Sequence, residues 1–230
     1  MTAGATLIIV FTKPAMPGEV KTRLVPCFTP EEAAEFHLAA TADVVAIAEG
    51  VVRETVELHV AGDFDDAAEL RALYPDREVR TQEGDGLGER LIAAFDDAFR
   101  RGFARTLIVG SDHPTLPPAF LAETLARLDE SDAAFGPSRD GGYYAVAARR
   151  ESWPAARALF VDIPWSTPEV LSATRERARD AGLRIAFAPE WYDVDRPEDL
   201  QLVGRDGGPD SAAFRFLRLV WERRRGGPAT

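Results

Sequence analysis

Three cations follow the first apolar segment of the chain at close spacing. Residues 7–10 read Leu-Ile-Ile-Val, and Lys13, Lys21 and Arg23 come within the next thirteen residues, around Gly18. Phosphate oxygens are bound well by Lys and Arg side chains, and a glycine loop adds backbone N–H donors. The cluster therefore predicts a polyphosphate site, with a solvated surface loop as the alternative. It is not a Walker A loop, because the spacing of that motif is absent.

Two carboxylates stand where further apolar segments end. Asp112 follows the apolar run 106–109, and Asp195 lies in the acidic stretch 193–199. Magnesium prefers one or two carboxylates together with substrate phosphates, so the pair predicts a divalent metal site, Mg²⁺ or Mn²⁺. Each aspartate could instead cap the helix that follows it. For His113, beside Asp112, a structural role in the loop is favoured over a role as metal ligand.

Two glycine-containing loops carry further polar groups. Residues 82–90 read Gln-Glu-Gly-Asp-Gly-Leu-Gly-Glu-Arg, and glycines of this kind let a flat base or a sugar approach the backbone. A flexible turn with a helix cap is the alternative. In the second loop, Asp140 precedes Gly141 and Gly142. Asp140 could orient or deprotonate an acceptor hydroxyl. The Asp-Gly pair also predicts a type I′ hairpin turn, and the two roles are compatible.

The overall composition excludes several classes of protein. The chain has 230 residues, 46% of them hydrophobic, and a net charge of −11, which disfavours general nucleic-acid binding. A single cysteine excludes an internal disulfide framework and is typical of a reducing compartment. Neither a signal peptide nor an apolar run of about 20 residues is present, so we expect a cytoplasmic protein without a membrane span.

Predicted strands alternate with predicted helices. This order indicates an α/β protein with a mainly parallel sheet covered on both faces, and the Asp140 turn suggests one reversed strand. The predicted strands are 6–11, 56–60, 78–81, 106–110, 133–136, 143–147 and 183–188. The predicted helices are 29–49, 65–73, 87–101, 117–128, 167–181, 196–203 and 211–225. Ligands of open parallel sheets bind at the carboxyl ends of the strands, where all the polar clusters lie.

The last helix is predicted to follow the main domain after a linker. A glycine-rich linker at 204–210 separates it, so we expect one domain over 1–204 and an appendage, linker plus helix, over 205–230. Its apolar stripe contains Phe214, Leu217, Val220 and Trp221. The stripe fits packing on the same chain or in a homodimer, and the sequence leaves that choice open.

Taken together, the motifs resemble a known family. They occur in the order typical of a bacterial family of GT-A-like glycosyltransferases of the arsenosugar-biosynthesis type, within the nucleotide-diphospho-sugar transferase superfamily. The resemblance covers about residues 6–203. It implies a Rossmann-like three-layer α/β/α sandwich. The motifs are FTKPAMPGEVKTRL, GDGLGERL, GSDHPTLP, GPSRDGGYY, IPWST and DVDRPEDL.

The resemblance also implies roles for individual residues. Phosphates would be contacted by Lys13, Lys21 and Arg23, and the metal would be held by Asp112 and Asp195. The loop around Gln82, Gly84, Asp85 and Gly88 would lie near the base or ribose, and Gly18 near the phosphates. Of these, Lys21 and Arg23, with Asp140 at the acceptor, would act in catalysis.

Glycosyl transfer from a nucleotide-diphospho-sugar to a small acceptor is the expected function. Its runner-up is metal-dependent nucleotidyl transfer with release of pyrophosphate, as in the related guanylyl- and cytidylyltransferases, whose glycine-rich first loop is absent here. A nucleotide-binding module without turnover is the third reading. The same cations and metal serve all three, so the motifs alone do not choose among them.

Overall fold

The computed structural model describes residues 4–52, 55–63 and 65–226, and the end of the predicted appendage, 227–230, lies outside them. Strands and helices alternate along the chain as predicted. The strands are β1 Thr6–Thr12, β2 Val56–Val60, β3 Val79–Thr81, β4 Arg105–Gly110, β5 Ala133–Pro137, β6 Tyr143–Arg149 and β7 Ile185–Phe187. The helices are α1 Pro30–Val51, α2 Ala68–Leu73, α3 Leu87–Arg100, α4 Pro118–Ala126, α5 Trp153–Ala156, α6 Val170–Asp180, α7 Leu200–Asp206 and α8 Ala212–Gly226.

The strands form one sheet in the order β3-β2-β1-β4-β6-β5-β7. Every pairing is parallel except those of β6, which runs antiparallel to both β4 and β5. The mainly parallel mixed sheet with one reversed strand is therefore confirmed. Because β1 and β4 are central and parallel, their carboxyl ends place the loops after Thr12 and Gly110 side by side.

Both faces of the sheet are buried, as the continuous apolar strands predict. Ile8 and Val10 of β1 pack with α1 on one face, whereas Leu7 and Ile9 pack with α3 on the other. Successive side chains of a strand point to opposite faces, so one strand contributes to both cores. The three-layer α/β/α sandwich is thus confirmed.

Helix α1 begins where the sequence predicts. Thr29 accepts a hydrogen bond from the backbone N–H of Glu32, and the Glu32 carboxylate accepts one from the Thr29 N–H, which completes a capping box. Pro30 occupies the first helical position, where its missing N–H costs nothing.

Helix α8 packs on α1, and the division of the chain into 1–204 and 205–230 remains a prediction. Its first turn is capped by Asp43 of α1, whose carboxylate accepts hydrogen bonds from Ser211 Oγ at 2.7 Å and Ala212 N at 2.6 Å. Leu217 and Val220 are buried in a third core, but Trp221 keeps 41% of its surface exposed. The stripe is therefore buried at Leu217 and Val220 and partly exposed at Trp221.

Two local expectations need correction. The turn at Asp140 is not type I′, since only Gly141 has a positive φ, 91°, while type I′ requires positive φ at both central residues. Gly141 N donates instead to Ser138 O at 3.1 Å. The short helix α5 was not predicted, because four residues are too few to show helical periodicity.

Within the described ranges, no helix combines the length and apolar character required to cross a bilayer. The expectations of a homodimer and of a cytoplasmic location remain predictions.

Candidate active site

Three polar loops meet at the carboxyl ends of the central strands. Ser111 N donates to Phe11 O at 3.0 Å, which joins the loop after β4 to the end of β1. Val194 N donates to Asp112 O at 2.9 Å, which brings the acidic stretch beside the same loop. These backbone hydrogen bonds place the predicted carboxylates next to the loop that carries the cations.

The ammonium of Lys21 lies at the centre of this junction. Its Nζ is 2.5 Å from Asp112 Oδ1, 3.1 Å from Asp195 Oδ1 and 2.7 Å from Val194 O. Only 2% of the Lys21 side chain is exposed, compared with 48% for Asp112 and 31% for Asp195. The carboxylates therefore remain open to solvent on one side, while the cation between them is enclosed.

The backbone at Lys21 adopts an unusual conformation to make these contacts. Its φ is 48° and its ψ 34°, in the left-handed region that non-glycine residues rarely adopt. Such a conformation costs on the order of 1 kcal/mol and persists only where surrounding contacts compensate it. At Lys21 the compensation comes from the three oxygens around Nζ.

Lys21 and Asp112 shift each other's pKa values in the expected directions. Burial alone would lower the pKa of Lys21, but the carboxylates of Asp112 and Asp195 outweigh burial and raise it. Burial likewise opposes the charged form of Asp112, yet the Lys21 ammonium outweighs it and lowers the Asp112 pKa well below its usual range. Lys21 and Asp112 are therefore both charged at neutral pH.

The other two cations of the first loop remain near the surface. Arg23 donates to Asp195 Oδ2 at 2.9 Å and keeps 63% of its side chain exposed. Lys13 is exposed, and within the described part of the chain it forms no ion pair. Its backbone carbonyl is held by His37 Nε2 at 3.1 Å. Lys13 is thus the cation of the loop that is available to an incoming anion.

Gly18 allows the first loop to turn between these cations. Its φ of 83° lies in the region that favours glycine, and a Cβ placed there would meet open space. The glycine is therefore required by the conformation of the turn.

Capping does not account for either predicted metal ligand. Helix α4 has Pro117 at its N-cap without a side-chain hydrogen bond, so Asp112 does not serve it. Before α7, the backbone N–H groups of Asp195 and Arg196 donate to the Asp199 carboxylate at 3.1 Å and 2.8 Å. Asp199 is thus the capping residue, and the Asp195 carboxylate contacts Lys21 and Arg23 instead.

The oxygen atoms around Lys21 Nζ are suitable ligands for a hard divalent cation. Asp112, Asp195 and the carbonyl of Val194 supply oxygen only, which Mg²⁺ and Mn²⁺ prefer, and they already surround one positive charge. The donor set therefore fits a metal that also binds substrate phosphates. A metal at this point and the Lys21 ammonium would exclude each other.

In the glycine loop, the structure gives several residues a packing role. Gln82 Nε2 donates to His59 O at 2.8 Å and to Thr12 O at 3.2 Å, which ties together the ends of β1 and β2. Asp85 and Gly84 are exposed at the surface of the loop. Gly88 is buried, and a Cβ there would lie 2.5 Å from Phe160 O, so close packing explains this glycine.

Asp140 lies on the far side of the junction. Its Oδ1 accepts a hydrogen bond from Gly142 N at 2.9 Å, and the side chain is exposed. Asp193 is half-buried nearby; burial raises its pKa, and repulsion from the carboxylates of Asp140 and Asp195 adds to the shift. Asp193 therefore belongs to the same acidic group. Its position two residues before Asp195 in an extended segment was the signal for it.

The histidines near the site are structural. His113 is buried, and its Nδ1–H donates to Tyr192 O at 2.9 Å. Burial lowers its pKa, so the ring is neutral. His37 holds both the Lys13 carbonyl and Thr12 Oγ1 through its Nε2. Nothing in the spacing of the sequence indicates that second contact.

Comparison with known protein families shows which family the chain belongs to. Residues 44–167, more than half of it, match the model of DUF2064, described as an uncharacterized protein conserved in bacteria. The chain belongs to the DUF2064 family. The matched segment contains the glycine loop, Asp112 and Asp140.

Individual relatives of this DUF2064 chain are transferases by name. A solved protein from Desulfovibrio desulfuricans G20, whose assignment as a nucleotide-diphospho-sugar transferase is itself provisional, is 32% identical. The similarity covers 96% of each of the two chains, with a TM-score of 0.83. The phosphoenolpyruvate guanylyltransferase of Mycobacterium sp. (strain KMS) is 27% identical over 209 residues, 89% of this chain and 88% of its own.

A third relative shares the fold alone. A protein of Mycobacterium tuberculosis H37Rv, crystallised as a complex with manganese, is 12% identical with a TM-score of 0.54. It covers 87% of this chain and 98% of its own. The comparisons therefore support a nucleotide-dependent transferase class for the DUF2064 chain, and they leave the arsenosugar-type assignment a prediction.

Proposed function

We propose that this protein transfers a glycosyl group from a nucleotide-diphospho-sugar to a small acceptor. The observation that carries the proposal is the set of oxygens from Asp112, Asp195 and Val194 around one cation at the carboxyl ends of β1 and β4. Parallel sheets bind ligands at this edge. The relative from Desulfovibrio desulfuricans G20, similar over nearly the whole chain, supports the nucleotide-sugar class.

The diphosphate would lie against the first loop. Lys13 is exposed with no ion pair among the described residues, and Arg23 keeps most of its guanidinium in solvent. Both can approach phosphate oxygens, with Gly18 in the turn between them. The nucleoside would lie along the neighbouring glycine loop, near Gln82, Gly84 and Asp85.

Asp112 and Asp195 would hold Mg²⁺ or Mn²⁺. When bound, the metal would offset the negative charge that grows on the leaving diphosphate. Lys21 holds the two carboxylates together and favours the charged form of Asp112, and after displacement by the metal its ammonium would remain beside the phosphates. Arg23, which is paired with Asp195, would help to offset the charge on the leaving diphosphate from the solvent side.

Asp140 would act at the acceptor. Its carboxylate is exposed, oriented by Gly142 N and close enough to Asp193 to affect that residue's pKa. In the transfer, the bond between the anomeric carbon and the diphosphate oxygen breaks as the acceptor oxygen bonds to that carbon. The acceptor proton passes to Asp140, and the nucleoside diphosphate leaves with the bonding electrons.

Nucleotidyl transfer is a second candidate, favoured by the similarity to a phosphoenolpyruvate guanylyltransferase over 89% of the chain. In that reaction an acceptor phosphate oxygen attacks the α-phosphate of a nucleoside triphosphate, and pyrophosphate leaves. The same cations would serve the leaving group, so the product distinguishes the two reactions.

The product released is the decisive test. The full chain would be incubated with Mg²⁺ or Mn²⁺, with nucleotide-sugars or nucleoside triphosphates, and with a small-molecule extract as a source of acceptors. We expect acceptor-dependent release of nucleoside diphosphate, lost in Asp140→Asn and kept in Asp180→Asn, a control whose carboxylate is exposed on α6. Release of pyrophosphate instead would support the second candidate. Nucleotide binding without any product would indicate a binding module.

A further inference from the structure

A groove lined by arginines runs along the free edge of the sheet. It lies between edge strand β3 and helix α3, with a volume of about 350 Å³, in the range of small-molecule sites. His59 and Ala94, both buried, line its inner part. The charged residues that line it are Arg71, Arg80, Arg90, Arg100, Glu83 and Asp97.

The groove is basic although the protein is acidic. Four arginines line it against two acidic residues, whereas the whole chain has 27 basic and 38 acidic residues. An excess of arginines in the lining of one cavity of an acidic protein favours an anionic ligand there. Arginine guanidinium groups are suited to this, because their paired N–H donors match the oxygens of phosphate.

Carboxylates pair with the guanidinium groups of this wall. Asp97 accepts contacts from Arg80 at 2.9 Å, from Arg100 at 3.0 Å and from Arg101 at 3.3 Å. Arg80 is also paired with Glu78 at 3.1 Å, and Arg101 with the buried Glu57. Because a guanidinium group has five N–H donors, Arg80 and Arg100, which line the groove, keep donors for a further anion.

Arg90 lies where the groove meets the glycine loop. Its Nε donates to Gly84 O at 2.9 Å, and within the described chain it forms no ion pair. An anion bound by Arg90 would therefore also affect the loop that contains Gly84.

The groove is separate from the site at Lys21. Strand β3 is two strands away from β1, about 10 Å at the usual spacing. Arg100 follows Arg90 by ten residues of helix, about 15 Å further along α3. Lys13, Lys21, Arg23, Asp112 and Asp195 are all absent from the residues that line the groove.

We propose that this groove is a second anion site, which binds a phosphate group, free or as part of a small phosphate ester. The groove would then hold a phosphorylated ligand beside the proposed nucleotide site, whose glycine loop contributes Gln82 to the groove lining. Because Arg90 contacts both the groove and the glycine loop, the ligand would also modulate nucleotide affinity.

Inorganic phosphate is the probe for the test. Its binding to the full chain would be measured by calorimetry at constant ionic strength. We expect saturable binding that weakens about fivefold or more in Arg71→Gln and in Arg100→Gln, because each loses a charge-assisted contact. Arg100 keeps 71% of its side chain exposed, so its replacement should leave the fold intact.

Two control variants separate this site from others. Arg218→Gln removes an exposed arginine of α8 and should leave phosphate binding unchanged. Lys13→Gln removes the exposed lysine of the proposed nucleotide site, so it should remove only phosphate bound there and leave the binding that Arg71→Gln and Arg100→Gln weaken. The proposal is overturned if wild-type protein shows no saturable binding. It is equally overturned if Lys13→Gln abolishes binding while Arg71→Gln and Arg100→Gln retain it.

Discussion

The ammonium of Lys21 lies 2.5 Å from Oδ1 of Asp112, in the position proposed for a divalent cation between Asp112 and Asp195. The buried lysine therefore acts as a cation built into the protein. It favours the charged form of Asp112 and holds the two carboxylates close together.

Replacement of this lysine should favour metal binding. In Lys21→Met, a metal no longer has to displace an ammonium, so we expect Mn²⁺ to bind without nucleotide about tenfold or more tightly. The free energy of unfolding without metal should fall by about 1–3 kcal/mol, since Asp112 and Asp195 lose their partner. A Mn²⁺ titration followed by electron paramagnetic resonance measures the first effect.

The matched control is Lys13→Met, because Lys13 is exposed and forms no ion pair with any residue of the described ranges. It should leave Mn²⁺ affinity unchanged. Weaker Mn²⁺ binding in Lys21→Met than in wild type would contradict competition between lysine and metal.

The buried Glu57 should make the free energy of unfolding depend on pH in the acidic range. Burial alone would raise its pKa, but hydrogen bonds from His59 and Arg101 outweigh burial and lower the pKa of Glu57 to about 2. A depressed carboxyl pKa stabilises the fold above the unfolded-state value of 4.5 and loses that effect as pH falls towards 2. We expect the free energy of unfolding of Glu57→Gln to be about 3 kcal/mol lower than that of wild type at pH 7 and to approach the wild-type value near pH 2.

Urea unfolding at several pH values measures this difference. Glu78→Gln is the control, since Glu78 pairs with Arg80 at the surface and keeps 57% of its side chain exposed. Its effect should stay below about 1 kcal/mol at every pH. A deficit in Glu57→Gln that does not change with pH would show that packing, not charge, is responsible.

Gly88 should tolerate no side chain. A Cβ at this position would lie 2.5 Å from Phe160 O and 2.8 Å from Trp165 Nε1, so Gly88→Ala should destabilise the protein by about 1–3 kcal/mol. Differential scanning calorimetry should show a Tm lower by several degrees. Gly86→Ala, where the added Cβ meets open space, should change the Tm little. Equal effects of the two variants would contradict the packing role of Gly88.

The cap of α8 should contribute to stability of the whole chain. Asp43→Ala removes the acceptor for Ser211 Oγ and for the backbone N–H of Ala212 and Ala213. The free energy of unfolding should therefore fall by about 1–2 kcal/mol. Chemical unfolding measures the loss. Glu35→Ala on the exposed side of α1 is the control. If the unfolding midpoint does not move, α8 is held by its apolar contacts alone.

Much of the site follows from strand ends that are visible in the sequence. Asp112 lies two residues after Gly110, where a buried strand ends, and parallel strands bring such positions to one edge of a sheet. The strand ends are therefore enough to predict that Asp112 and the first loop lie at the same edge of the sheet, whereas the adjacency of β1 and β4 comes from the structure. The capping box at Thr29 is equally local, since it depends on residues three apart.

Other features depend on contacts that no local pattern encodes. The position of Lys21 between Asp112 and Asp195 requires a left-handed backbone, which only the tertiary contacts stabilise. Gly88 reads as a ligand-binding glycine, yet it faces Phe160, which is distant in the sequence. The arginine groove is likewise formed by α2, β3 and α3 together.

Asp112→Asn tests the central claim most directly, because it removes one charge from the proposed metal and nucleotide site. Nucleotide-dependent thermal stabilisation would be measured for the full chain with Mg²⁺ or Mn²⁺ present and absent, over nucleotide-sugars and nucleoside triphosphates. We expect wild-type protein to be stabilised by at least one nucleotide only with metal, and Asp112→Asn to lose this response while its circular dichroism stays unchanged. Metal-dependent nucleotide binding of unchanged affinity in Asp112→Asn would contradict the account.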